Sequence, residues 1–291
     1  MTKTQHNIYI IILSLLAMLS LFYFWLFGFS YYLTSTEDRF FHPQHNLLKP
    51  SGLIGHGLGI VGSIMMMTGV AVYMLRKRVR RWVRLGSLKH WLELHIFLCT
   101  VGPILVMYHT AFKFGGIVAV SFWSMVAVVI SGVVGRFIYV QIPRSIQGQE
   151  YSLEELKELN NFYTERLKHE YDLPDKIILQ LERFKNVETH KAYGFISLTT
   201  LIWKDYFSNR KLLGSIKRNL IRQNVPHHSV HEIIKICNSK LILSRRVGLL
   251  RSVQKVFRYW HVIHLPFAIV MLIIMLIHVG VTVAFGYRWI F

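Results

Sequence analysis

Five stretches of this chain, near residues 8–33, 53–75, 91–112, 117–140 and 259–285, are apolar enough to sit in hydrocarbon. A helix needs about 20 such residues to cross a bilayer core. No water reaches that core, so each segment must pair its own backbone N–H and C=O groups, which a helix does and an isolated strand cannot. The expected fold is therefore all-α, an integral membrane bundle of five spans. A hydrophobic share of 53% agrees with that class. The first stretch has the look of a secretion signal. It runs too long for one, and no small-residue cleavage site follows Phe24-Trp25-Leu26-Phe27, so it reads as a retained span.

Orientation follows from where the positive charge lies. After the second span comes Arg76-Lys77-Arg78-Val79-Arg80-Arg81-Trp82-Val83-Arg84, basic and free of acids. Such loops stay in the cytoplasm. The loop 34–50 and the turn Lys113-Phe114-Gly115-Gly116 then face outward, with the N-terminus inside and the C-terminus outside. The expected location is a bacterial inner (cytoplasmic) membrane. A formal charge of +19 would suit nucleic acid, but it collects beside apolar runs, which argues for topology and lipid contact and against a nucleic-acid partner.

Three regions result: residues 1–143 with spans one to four, a polar insert at 144–257, and residues 258–291 with span five. The insert follows the fourth span and is expected to be cytoplasmic and helical. Ser152 with Glu155 three residues on is a capping-box pattern. Pro174 suits a first helical turn and Pro226 marks another boundary. From about 229 to 255 an amphipathic pattern leads straight into span five. The stretch 192–203 is apolar but too short to cross; it reads as a buried core helix, with an interfacial segment as the alternative.

Histidines carry the functional information. His95 and His109 lie on span three, fourteen residues apart, and His264 and His278 lie on span five at the same interval. Fourteen helical steps fall about 40° short of four turns and rise about 21 Å. Each pair thus shares one face of its helix and reaches towards opposite sides of the membrane. Spans three and five both run outward, which sets His95 level with His264 and His109 level with His278. Two stacked b-type haems, each iron held by one imidazole from either helix, need this ligand arrangement. Ionisable groups within spans are costly and mark function. Levels about 21 Å apart cannot share one small ion. Cys99 and Cys237 form no CxxC pair, which argues against a cysteine-ligated cluster in this chain.

Other polar groups rank lower. His90 points about 140° away from His95 and sits at a basic edge, which suits solvent or lipid headgroups. His261 precedes His264 by three residues and matches no partner at fourteen. His56, on the second span, has three readings besides a structural one: bonding a haem propionate, touching a quinone or ligating a further haem. Arg136 on span four suits a propionate or a snorkelling position. Gly55, Gly57, Gly59 and Gly62 bare one strip of span two, Gly132 and Gly135 do so on span four, and Gly102-Pro103 falls between the ligands of span three. Small residues admit a neighbouring helix or a flat porphyrin, and helix packing alone accounts for them as well.

On His95/His109 and His264/His278 the chain resembles the di-haem membrane cytochromes b, a group that includes the cytochrome b subunits of quinol-oxidising complexes and the haem domains of ferric reductases. Fourteen-residue spacing on both helices is similar to the former. Ligands on a third and fifth span are similar to the latter. The large insert departs from the ferric reductase pattern. So does the absence of a flavin- or nicotinamide-binding domain after span five.

The resemblance implies two haem b groups and transmembrane electron transfer within a membrane oxidoreductase complex. Two imidazoles per iron leave no open position, so such haems exchange electrons and bind no substrate. Expected partners are a flavoprotein or iron–sulfur protein inside and quinone or a cytochrome c outside. Between residues 144 and 255 stand 20 Lys/Arg and 12 Asp/Glu, a basic surplus that suits an acidic partner. The competing function is a membrane scaffold or sensor whose insert recruits a protein. A transporter is the third, disfavoured because no carboxylates gather at mid-span.

Overall fold

The computed structural model describes residues 3–79, 82, 85–143, 151–181 and 193–285. Among these residues the chain is helical with no strand. The helices are α1 (Lys3–Phe27), α2 (Phe29–Leu33), α3 (His45–Leu48), α4 (Leu53–Arg78), α5 (Leu88–His109), α6 (Gly116–Gln141), α7 (Leu153–Glu165), α8 (Asp175–Leu181), α9 (Phe195–Arg222) and α10 (His227–Ala284). Five helical segments are long and apolar enough to cross a membrane: Thr4–Phe27, His45–Arg78, Leu88–His109, Val118–Gln141 and His227–Ala284. Their outward faces carry Leu, Ile, Val and Phe, as lipid-facing surfaces do. The chain has the features of a multi-pass membrane protein.

Two compact units divide the chain, one of residues 1–133 and 263–291, the other Val134–Val262. In the first unit the expected span 8–33 is broken: α1 stops at Phe27, and Gly28 (φ −103°, ψ 14°) turns the chain into α2. The Tyr32 ring lies so close to Gly28 that any Cβ there would collide with it, so a bare residue is what permits the bend. Beyond α2, Arg39 is buried and donates to three carbonyls: Ala111 O at 2.6 Å, Thr34 O at 3.0 Å and Tyr32 O at 3.1 Å. One guanidinium thereby ties the loop after α2 to the end of α5.

Helices α4 and α5 form the closest pair, antiparallel and in one register. Gly55 faces His109, Gly62 faces Gly102, and Gly69 faces the backbone at His95. Glycines thus recur every seven residues on α4, the period that keeps a seam in contact between two helices inclined by about 20°. The approach leaves no room for side chains. A Cβ on Gly62 would stand 2.7 Å from the Gly102 carbonyl oxygen, and one on Gly102 would stand 2.8 Å from that of Gly62. Gly62→Ala and Gly102→Ala are each expected to cost about 1–3 kcal/mol by overpacking. A lowered thermal midpoint in detergent measures that loss. Gly132→Ala, with nothing within 4 Å of the new Cβ, is the control that should leave the midpoint unchanged.

The second unit contains α7, α8, α9 and the adjoining parts of α6 and α10. Ser152 and Glu155 make the capping box in full: the Ser152 hydroxyl accepts from the Glu155 N–H, and the Glu155 carboxylate accepts from the Ser152 N–H. One core gathers Leu167, Leu181, Ile216, Ile233, Cys237 and Leu241. Another gathers Ile138, Ile142, Leu198, Ile202, Leu249 and Val253. Polar ties accompany them. Fully buried Lys240 donates to Thr164 Oγ1 at 2.6 Å, and Arg245 reaches Asp205 at 3.6 Å.

Residue 192 of the apolar stretch 192–203 lies outside the described residues, and the helical part from Phe195 is two-sided and not a plain core helix. Leu198 and Ile202 are buried, while Ile196 is 79% and Trp203 61% exposed. From 227 the amphipathic pattern continues unbroken into span five as one helix of 58 residues.

Candidate functional site: a two-level histidine array

The seven-residue glycine seam of α4 is what positions the histidines of α5. A helical carbonyl keeps a second lone pair after bonding its own helix, and a glycine exposes it to a neighbour. His109 Nδ1 stands 2.8 Å from Gly55 O, and His95 Nδ1 stands 3.0 Å from Gly69 O. Gly55 and Gly69 are themselves fourteen residues apart, so α4 carries an acceptor for each level. Gly59 supplies the space beside the ring, since a Cβ there would lie 2.7 Å from His109 Nδ1.

These bonds decide which nitrogen carries the proton. A carbonyl oxygen only accepts, so Nδ1 is the N–H in both rings. A neutral imidazole protonated at Nδ1 presents its lone pair at Nε2. Metal-ligating histidines are held in this way, the second nitrogen donating to a carbonyl or carboxylate that fixes ring orientation and raises basicity. On α10, His264 Nδ1 lies 2.5 Å from Ser131 Oγ. Ser131 Oγ also donates to Val128 O at 2.9 Å within its own helix, leaving its oxygen to accept from the imidazole. His95 and His109 thus share one tautomer, and Ser131 allows His264 the same one.

His109 and His278 face one another with ring centroids 6.5 Å apart and planes at 56°. Two imidazoles that each bind one metal through Nε2 at about 2.0–2.1 Å have ring centres a little over about 6 Å apart. The separation of His109 and His278 is of that size, and so is that of His56 and His109. Seven residues back along α5 and α10 come Gly102 and Met271, and seven further come His95 and His264. Met66, Phe122, Met125, Met271 and Met275 fill the layer between the levels, and Ser121 Oγ donates to Met271 O at 3.1 Å. This partition is apolar and polarisable, with no carboxylate among its members.

The remaining candidates fall in different places. His56 stands beside His109, ring centroids 6.3 Å apart at 61°, which makes the Gly55 level a group of three histidines. Arg136 belongs to the second unit, where its guanidinium lies over the Tyr139 ring at 5.5 Å. His90, expected at a solvated edge, is half-buried, with its ring centroid 5.5 Å from that of His6. His261 is exposed and its Nδ1 bonds Phe257 O at 3.1 Å.

Three contributors were not anticipated from sequence: the Gly69 carbonyl, Ser131, and Tyr73, whose ring stacks on His95 at 5.2 Å and 30°. The fourteen-residue interval from Gly55 to Gly69 was a readable signal for the first. Comparison of the chain with protein-family models, with curated proteins and with solved structures gives no match.

Proposed function

We propose that this chain is a di-haem b-type membrane cytochrome that carries electrons across a bilayer as part of a membrane oxidoreductase complex. The observation that supports the reading is the array itself: backbone carbonyls at Nδ1 of His95 and His109, a hydroxyl at Nδ1 of His264, and His109 and His278 with ring centroids 6.5 Å apart. His95 with His264 would hold one haem and His109 with His278 the other. When bound, each haem would supply a one-electron couple. The chain's own residues do the rest. Gly69, Gly55 and Ser131 orient the imidazoles and set their basicity, which tunes the potential. Lipid-facing helices and the methionine layer exclude water between the levels. Tyr73 limits rotation of the His95 ring.

Under this reading the N-terminus and the second unit lie on the cytoplasmic side of a bacterial inner membrane. The basic insert docks a flavoprotein or iron–sulfur protein there, and quinone or a cytochrome c exchanges electrons outside. The docking face is the exposed stripe of Ile196, Trp203 and Phe207 on α9, with Lys204, Arg210 and Lys211 beside it. Apolar anchors with a basic surround suit an acidic protein surface.

The test is optical. Protein purified from haem-replete cells should give a reduced-minus-oxidised b-type spectrum and about two haems per chain by pyridine haemochrome. A colourless preparation with native helicity would reject the function.

A further inference from the structure

We propose that His6, His90 and Glu93 form a binding site for a divalent transition ion of the zinc class, separate from the histidine array and clamping the start of α1 to the start of α5. One ligand atom from each of the three residues lies within 4.8 Å of the other two. Ser87 caps α5 at its N-terminus through the Lys89 N–H. His90 and Glu93, three residues apart, follow on one face of the helix. Across from them α1 brings His6, with Nε2 3.4 Å from Glu93 Oε1. A tetrahedral ion with bonds of about 2.0–2.2 Å holds its donors about 3.3–3.6 Å apart. His6 and Glu93 already stand at that spacing.

The carboxylate is the second, independent observation. Glu93 is 6% exposed, and its Oε2 is buried with no hydrogen-bond partner. His6 Nδ1 is likewise buried and unpartnered. A carboxylate withdrawn from water needs a positive charge or several donors around it. Besides His6, the cation beside it is Lys89, whose Nζ is 3.9 Å from Glu93 Oε1, too far for a hydrogen bond. That ammonium is 3.0 Å from His6 Nε2, which therefore offers it a lone pair. The three residues thus present donor atoms towards a point where a cation is wanted. Lys89 is a half-exposed stand-in on a flexible stem and can withdraw to solvent.

Donor chemistry selects the ion. Two imidazoles and one carboxylate match zinc, copper and nickel, and a three-ligand zinc site keeps a fourth position for water. Calcium and magnesium prefer all-oxygen shells. The consequence is mechanical. Along its length α1 turns mostly exposed apolar side chains outward, so a metal cross-link at its first turns would fix its register on α5.

The experiment uses the full chain in detergent with a tag that contains no histidine. After EDTA treatment and dialysis, zinc chloride is titrated calorimetrically, and zinc and iron are counted separately by elemental analysis. One zinc per chain is expected, with the thermal midpoint rising on addition. His6→Gln and Glu93→Gln should each weaken binding on the order of 100-fold, the scale at which losing a metal-supporting group is felt. Lys89→Gln, which removes the competing charge, should tighten binding about threefold. Iron content should be the same in all four proteins, so the outcome is independent of the haem reading. The Lys89→Gln arm guards against misfolding, because damage does not increase affinity. Absence of saturable zinc binding overturns the site. So does zinc binding of equal affinity in the wild type and in both His6→Gln and Glu93→Gln, which would place the ion on other histidines.

Discussion

His109→Ala and His278→Ala should each lower haem from about two to about one per chain, and both should remove the same spectral component. The two imidazoles sit 6.5 Å apart, so under the proposed pairing removing either would leave that haem with a single histidine to hold it. His95→Ala and His264→Ala should remove the other component. Low-temperature reduced spectra or a potentiometric titration resolves the two, since they differ in ligand surroundings: Gly69 and Ser131 on one level, Gly55 and His56 on the other. The neighbouring His56 makes this level the sharper test. Its ring is 6.3 Å from that of His109, close enough that His56 has to be tested as an alternative ligand of this level. His56→Ala should keep two haems, while the double variant His56→Ala/His109→Ala should retain one. If His56→Ala loses a haem and His109→Ala does not, the outer pair is His56 with His278 and the assignment is wrong.

Periodicity made the long apolar helices legible, and with them the face each histidine pair shares, because both are properties of a helix alone. Fourteen residues place His95 and His109 on one face whatever surrounds them. The partners of those rings depend on a second helix and on its register, which no single segment encodes. Gly55, Gly62 and Gly69 encode it jointly, but the three are visible as a seam only once the Gly102 level is set against Gly62. Ser131 had no readable signal: one hydroxyl on an apolar helix says nothing about which neighbour it meets. The capping box at Ser152 was legible because both partners lie within one turn. Exposure on α9 was not, since the apolar run 192–203 gives no indication that Leu198 and Ile202 turn inward while Ile196 and Trp203 turn out. The neighbours of His90 were not legible for a related reason. Its environment is made by His6, 84 residues earlier in the chain, and by a helix whose docking the sequence does not state.

Replacing residues 144–248 with a short Gly/Ser linker should leave haem content near two per chain and abolish electron exchange with the cytoplasmic partner. The first half of that outcome follows from placement. All four proposed ligands lie in the first unit, and Ile142 shares a core with Leu249 and Val253, so a short linker joins the cut ends. The second half follows from what is removed, namely α7, α8, α9 with the exposed stripe of Ile196, Trp203 and Phe207, and residues 227–248 of α10. A milder variant separates docking from bulk loss. Trp203→Glu/Phe207→Glu keeps the buried Leu198 and Ile202 that anchor α9, and changes only exposed positions. Central aromatic anchors in an interface are commonly worth 2 kcal/mol or more, so the double variant should weaken partner binding by at least about 30-fold. Raising salt should slow association of the wild type, because the flanking Lys204, Arg210 and Lys211 act through screened long-range attraction. If the double variant reduces at the wild-type rate with its native partner but loses affinity for anionic vesicles, α9 faces lipid and the docking assignment falls. Full exchange by the linker-bearing protein would remove the second unit from electron transfer altogether.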